Sequence, residues 1–341
     1  MSPAEAACAL CGGDTAPFLP VDDRFGLVRC AACGHVATSP QLAPEAVTAW
    51  YPPEYYGRKN RRFNALFERL VVVFRERRAR LVTREARKGR ALDVGCGRGL
   101  LPALLRRHGW DTCGIELSDT AAERARSIGI PVFVGPIEQA PWADGSFEAV
   151  VFWHVLEHLR DPRSAVRRAA ALLSPGGLLL VAVPNFESLQ ARVGSRGWFH
   201  LDVPRHYHHF GLRALRRLLE EEGFDVEHVS HFALEQNPYG WVQSLLNRLG
   251  FRRNLLYEML KHESARSGPH PAREFPVQAL LTPIALVPIL PLSALLFAVE
   301  LFLRRGGTIE VCARRRLSPD RSDGGSRAPD GAATGGRTAP G

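Results

Sequence analysis

Ala91-Leu-Asp-Val-Gly-Cys-Gly-Arg-Gly99 reads as an apolar strand that runs into a glycine-rich turn and then into the helical run Leu100-Leu-Pro-Ala-Leu-Leu-Arg106. Glycines at 95, 97 and 99 let backbone N–H groups approach a ligand with no Cβ in the way, and the helix N-terminus beyond adds a partial positive end. Nicotinamide-binding folds use a similar turn, so the partners of the loop decide its ligand. Asp93 stands inside the strand, and Glu116 closes the next strand, Thr112-Cys-Gly-Ile-Glu116. There its carboxylate can accept hydrogen bonds from two vicinal ribose hydroxyls. The sequence carries no second phosphate-binding device, which fits a dinucleotide poorly.

With these residues, and with Asp144-Gly-Ser-Phe-Glu-Ala-Val-Val-Phe152, His154-Val-Leu-Glu-His158, Leu173-Ser-Pro-Gly-Gly177 and Val183-Pro-Asn185, the chain resembles the class I S-adenosylmethionine-dependent methyltransferases over residues 90–233. The resemblance implies an α/β fold: a Rossmann-like, seven-stranded, mostly parallel sheet with helices on both faces. It also implies S-adenosyl-L-methionine as cofactor, held by Asp93, Gly95, Cys96, Gly97, Gly99, Glu116 and Leu117. Relatives commonly carry an aspartate after the glycine at position 135 to meet the adenine amino group, but Pro136 stands here. Adenine recognition therefore falls to a backbone group near Ile137 or to Glu138. The expected function is methyl transfer, with an oxygen of a small acceptor, lipid-linked or sugar-containing, as the favoured target. The alternatives are a nucleic-acid acceptor, or a cofactor-binding module that recruits partners without efficient catalysis.

At 341 residues and 45% hydrophobic, the chain can hold one large α/β domain plus attachments. Its formal charge of +9 is concentrated: residues 58–90 hold thirteen Arg or Lys against Glu68, Glu76 and Glu85, a local excess of ten. Such a segment can attract nucleic acid, anionic lipid or phosphorylated substrates. Lysine occurs only at 59, 88 and 261, so the arginine richness also fits a compositional bias. The start, Met1-Ser-Pro-Ala-Glu, shows no basic run followed by an apolar one. The expected location is cytoplasmic, or peripheral on the inner face of the membrane.

Cys8-Ala-Leu-Cys11 and Cys30-Ala-Ala-Cys33 are two Cys-x-x-Cys knuckles whose spacing suits a four-thiolate structural zinc (Zn2+) site, with no position open for water. They mark residues 1–38 as a zinc ribbon, similar to the ribbon that precedes the methyltransferase domain in many bacterial enzymes. Residues 39–89 read as a proline- and aromatic-rich linker followed by a basic amphipathic helix, with Phe63, Leu66, Phe67, Leu70, Phe74 and Leu81 at helical spacing. In the resembling family a helix here covers the cofactor.

His154 lies just past the fourth strand, where ligands of open α/β sheets gather. His154, Glu157 and His158 fall at i, i+3 and i+4 on one face of a helical turn, and Pro204-Arg-His-Tyr-His-His-Phe210 brings three more histidines, with His206 placed nearest the site. Similar arrangements in ubiquinone-type O-methyltransferases and small-RNA ribose methyltransferases bind a divalent metal at the acceptor oxygen; here His154 stands where their first glutamate is. Three readings stay open: a metal site of His154, Glu157, His158 and His206; a metal-free site with His154 or His206 as general base; and a purely structural cluster. Trp198, Phe199 and the histidine run are expected to wall the acceptor pocket.

Residues 234–306 read as an insertion. From Pro276 to Val299 no residue is charged, a length sufficient to cross a bilayer. Pro283, Pro288 and Pro291 interrupt it, and Gly307-Thr-Ile-Glu-Val-Cys-Ala-Arg314 beyond it reads as the last strand of the sheet, within 307–316. The expectation is a proline-broken helical hairpin at the membrane interface, or a lid over an apolar substrate. The tail, 317–341, is expected to be disordered.

Overall fold

The computed structural model describes residues 7–42, 65–261, 270–317 and 341. Three strands come first, β1 (Thr15–Pro20), β2 (Gly26–Cys30) and β3 (Val36–Ser39), followed by helix α1 (Ala65–Glu85). Next come β4 (Arg90–Val94), α2 (Leu100–Arg107), β5 (Asp111–Glu116), α3 (Asp119–Ser127), β6 (Val132–Val134), β7 (Phe147–Trp153), α4 (Pro162–Leu172) and β8 (Leu173–Pro184). α5 (Leu189–Gly194), β9 (His208–His209), α6 (Leu212–Glu221) and β10 (Phe224–Ser230) lead to four helices, α7 (Asn237–Arg248), α8 (Leu255–Leu260), α9 (Pro271–Glu274) and α10 (Pro276–Phe302). β11 (Thr308–Arg315) is the last element among the described residues.

The main sheet has the order β10-β11-β8-β7-β4-β5-β6. All neighbouring pairs from β8 to β6 are parallel, whereas β11 lies antiparallel between β8 and β10. The order turns back between β4 and β7, which is the topological switch point where open α/β sheets bind ligands. Both faces of the central strands are buried, so their sequences are largely apolar and do not alternate, with Asp93 of β4 as a buried charged exception. Leu92, Val94, Val150 and Phe152 pack on one side with Val166 and Ala169 of α4 and Leu215 of α6. Ala91, Ala149 and Val151 pack on the other side with Leu101 and Leu105 of α2. Each large side chain fully removed from water there contributes roughly 1.5–3 kcal/mol.

Helix α1 closes that second side through Ala79 and Val82, both 0% exposed. The expected seam holds in part: Leu81 packs against the same cluster and Phe67 and Phe74 are half-buried, whereas Leu70 is exposed and Val72 and Val73 point outward with it. Small residues occupy the seam because the helix lies directly on α2 and the sheet. Phe63 and the side chain of Leu66 fall outside the described residues, as do the expected linker aromatics 50–57 and the tail 318–340.

The ribbon does not stand apart. Its sheet, β1-β2-β3, is completed by β9 from the middle of the chain, pairing Val36 with His209 and Ala37 with His208. Cys8, Leu10 and Cys30 join the same apolar cluster as the main sheet. The expected broken hairpin is instead one continuous helix, α10, which carries Pro283, Pro288 and Pro291 within it. All three prolines are exposed, and a narrow buried stripe through Ala279, Ile289 and Ser293 holds the helix to the protein.

Candidate functional site

The turn after β4 needs its glycines. Gly95, Gly97 and Gly99 have φ of 70°, 53° and 75°, the left-handed region that side chains disfavour. A Cβ on Gly95 would stand 2.5 Å from Val155 Cγ2, and one on Gly99 would stand 2.8 Å from Ala125 Cβ. Glu116, at the end of β5, turns its carboxylate into this loop: Oε2 accepts from Gly97 N at 2.9 Å, and Oε1 accepts from Leu117 N at 2.9 Å and Ser118 N at 3.1 Å. Three of a carboxylate's roughly four acceptor positions are thus filled, leaving one on Oε2. Burial raises its pKa while the three backbone donors pull it down.

Asp93 is buried beneath the same loop, and burial pushes its carboxyl up to about 7 against the pull of Arg75. Cys96 is buried under the turn, whereas Leu117 is 64% exposed beside Glu116, an apolar surface next to the crevice. Ile137 is buried at the start of a 3-10 turn, and the Glu138 side chain is exposed. Helix α1 reaches the loop through Glu68, whose Oε2 lies 3.1 Å from Arg98 Nη2.

The register of β4 with β7 sets Val94 opposite Phe152, so the chain leaves both strands side by side at the switch point. His154 sits there with φ 55°, an unfavourable backbone for a residue with a Cβ, held by its N–H to Ala182 O at 2.8 Å. Its Nδ1 lies 3.1 Å from Glu157 Oε1, and its ring stacks on His200 at 6.1 Å. Nε2 of His154, Oε2 of Glu157 and Nε2 of His200 are all buried without a partner among the described residues.

Glu157, His158 and His206 converge, each offering one ligand atom within 4.8 Å of the others. His158 Nδ1 lies 3.0 Å from Arg205 O, and His206 Nδ1 lies 2.9 Å from His200 O. In each case a backbone carbonyl takes the Nδ1–H and directs Nε2 elsewhere, the arrangement that orients metal-ligating histidines. The donor set therefore fits a divalent cation. His154 stands outside this trio and meets it only through Glu157, so the expected four-residue set is narrower than the sequence spacing implies. Burial, then the neighbouring His158, holds His206 well below its ordinary pKa.

Two features were not visible in the sequence. Thr38 of β3 donates its hydroxyl to His206 O at 2.6 Å, and its N–H donates to Tyr207 O at 2.9 Å, so the ribbon holds the histidine run in place. His35 Nε2 and His208 Nδ1 meet at 3.0 Å across the same joint. Nothing in the local sequence marks Thr38; only long-range pairing does. Trp198 does not wall a pocket: it is 1% exposed, packs with Leu27 and Val36 of the ribbon, and donates to Gln190 Oε1 at 3.0 Å. Phe199 packs edge-on against His200 at 4.9 Å and Tyr239 at 5.3 Å, which links the histidines to the insertion. Asn237, at the start of α7, is a structural clasp, accepting from Thr308 N at 2.9 Å and donating to His231 O at 2.9 Å.

Against the main domain the ribbon's four cysteines converge, with Cys8 Sγ 3.6 Å from Cys33 Sγ and Cys11 Sγ 3.5 Å from Cys30 Sγ. A tetrahedral zinc with Zn–S of about 2.3 Å sets sulfur pairs about 3.8 Å apart, so the four thiols fit that ion.

Residues 62–229 match the family model described as a methyltransferase domain. Together with the sheet order and the glycine loop, that match defines the class: the chain belongs to the class I S-adenosylmethionine-dependent methyltransferases. Among curated proteins, it is 36% identical over 132 residues to the ubiquinone biosynthesis O-methyltransferase of Methylococcus capsulatus, covering 36% of this chain and 55% of that one. It is 37% identical over 103 residues to the protein of the same name from Bordetella avium, covering 28% and 43%. The chain spans about half the length of the curated relatives it matches. Among solved structures, a SAM-dependent methyltransferase from Archaeoglobus fulgidus is similar at 17% identity, with a TM-score of 0.46, covering 71% of this chain and 93% of that one.

Proposed function

We propose that the chain transfers the methyl group of S-adenosylmethionine to an oxygen of a small, lipid-linked acceptor held over the β4–β7 switch point. The observation that carries this reading is the His154–Glu157 pair beside the glycine loop. Glu157 accepts from Nδ1–H, which leaves Nε2 of His154 buried and unpartnered as a proton acceptor. When bound, S-adenosylmethionine supplies a methyl on a sulfonium, which an oxygen lone pair takes in line.

In this reading Glu116 and the loop amides hold the nucleoside, Leu117 lines its base, and Asp93 faces its cationic end. Adenine is met near Ile137 and Glu138. His154 takes the acceptor's hydroxyl proton at Nε2, and Glu157 stabilises the imidazolium formed. Glu157, His158 and His206 are the residues that would hold a divalent cation, which would lower the pKa of the acceptor hydroxyl. His206 is a poor base, because burial disfavours its charged form, and a suitable neutral ligand.

The relatives' role in ubiquinone biosynthesis supports a lipid-linked acceptor. Incubation of the full chain with methyl-labelled cofactor and separate lipid, polar-metabolite and nucleic-acid extracts tests the reading. Label is expected in the lipid fraction as an ether or ester; label in RNA or DNA alone would replace the acceptor, and no label in any fraction would favour the cofactor-binding module.

A further inference from the structure

Helix α10 is built inside out. Its polar side chains turn toward the protein: Thr282 and Ser293 are 2% exposed and Glu300 is 0% exposed, with Glu300 accepting from Trp241 Nε1 at 2.8 Å. The opposite side is apolar and bare, with Leu280, Ile284, Val287, Leu290, Leu295 and Phe302 at 74, 65, 74, 54, 61 and 88% exposure. A helix that faces water shows the reverse pattern. Its 27 residues run about 40 Å at roughly 1.5 Å per residue, far longer than a scattered surface leucine needs to explain.

Both ends of the helix return to the protein. Gln278 Oε1 accepts from Arg252 N at 2.7 Å near the first turn, and β11 re-enters the main sheet six residues after the last. A helix tied down in this way lies along a bilayer and does not cross it. Its flank is cationic. Phe232 sits 5.9 Å from the Phe297 ring of α10, and the Arg77 guanidinium of α1 lies 5.7 Å from the Phe232 ring. Beyond Arg77 is an open groove of about 380 Å³ lined by Arg77, Arg80, Leu81 and Arg84. Helix α1 holds six arginines against three glutamates; Arg80 and Arg84 pair with Glu76 and Glu85 but stay 73% and 70% exposed, weak surface pairs that a lipid phosphate can replace, and Arg304 and Arg305 are exposed just past α10. An apolar face with an arginine border matches an acyl layer under anionic headgroups. A second copy of the chain offers an apolar face but no surplus of negative charge, since the chain carries +9.

We infer that α10 docks the protein on an anionic bilayer, lying in the plane of the surface with its apolar face among the acyl chains and the arginines of α1 and of 304–305 at the lipid phosphates. The inference gives the lipid-linked acceptor its source and rests on that reading, yet vesicle binding needs no methyl transfer, so the two fail separately.

The test is flotation of the full chain with vesicles of phosphatidylcholine alone and of phosphatidylcholine with phosphatidylglycerol. Binding is expected on the anionic vesicles, falling with salt. Ile284→Asp with Val287→Asp should lower partitioning at least about tenfold, and Arg80→Gln with Arg84→Gln should lower it by about fivefold per charge with cofactor affinity kept. Wild-type protein mixed with a phosphatidylcholine that carries a photoreactive acyl chain should be labelled within 276–302. Three results would overturn the inference: no flotation of the wild type on anionic vesicles, photolabel confined to other segments, or a non-floating dimer that Ile284→Asp converts to monomer.

Discussion

At the scale of single residues the proposed chemistry rests on three carboxylates and a histidine. Asp93 keeps its proton to about pH 7 in the fold, while an unfolded aspartate releases it near about pH 4. The folded state therefore binds the extra proton across that interval, and the residue's contribution to stability falls as pH rises through it, then levels off. A cationic cofactor beside Asp93 favours the ionised form. Affinity should accordingly rise with pH through about 7 with release of a proton, and Asp93→Asn should flatten the profile; calorimetry in buffers of different ionisation enthalpy reads both effects. Glu116→Gln removes a charged acceptor from three amides, and at about 1.5–3 kcal/mol for a hydrogen bond to charge it should weaken cofactor binding at least about tenfold. His154→Ala should lower turnover by about a hundredfold or more while leaving cofactor affinity within a factor of about two, since a base acts on the proton and not on the nucleoside.

At the scale of elements, the ribbon and the methyltransferase domain share a sheet, and that sharing has a consequence for zinc. Removing a zinc held by the four cysteines would loosen β3, and β3 holds the backbone of His206 and Tyr207 through Thr38. Chelation should therefore cut methyl transfer while the affinity for S-adenosylmethionine, bound by another part of the fold, is retained; loss of both together would show that the joint does not act selectively. The core strands were legible because their apolar runs, buried on both faces, end at glycines and caps, as at Ser118, whose Oγ accepts from Ala121 N at 3.4 Å. The seam of α1 was legible only in part, because Ala79 and Val82 are buried by close helix packing beside the expected Leu81 while Leu70 and Val73 look outward. The continuity of α10 was hidden for a related reason: local rules stop helices at proline, but packing along one stripe carries this one through three of them.

At the scale of the whole molecule, the site is where the topology puts it. The sheet turns back between β4 and β7, the glycine loop leaves one strand and His154 leaves the other, and the ribbon and the insertion both close on the same edge. The proposed cofactor half rests on one short motif and its acidic partner, both named from the sequence and joined in the fold by the Gly97–Glu116 hydrogen bond. The proposed acceptor half was read only as a set of histidines, since Thr38 reaches His206 from the ribbon and His200 stacks on His154 from beyond β8. The most direct test of the account is titration of the full chain with S-adenosylmethionine and its demethylated product by calorimetry. The account predicts one site per chain with a dissociation constant on the order of micromolar, weakened by Glu116→Gln. No measurable heat with either ligand, or binding indifferent to Glu116→Gln, would contradict it.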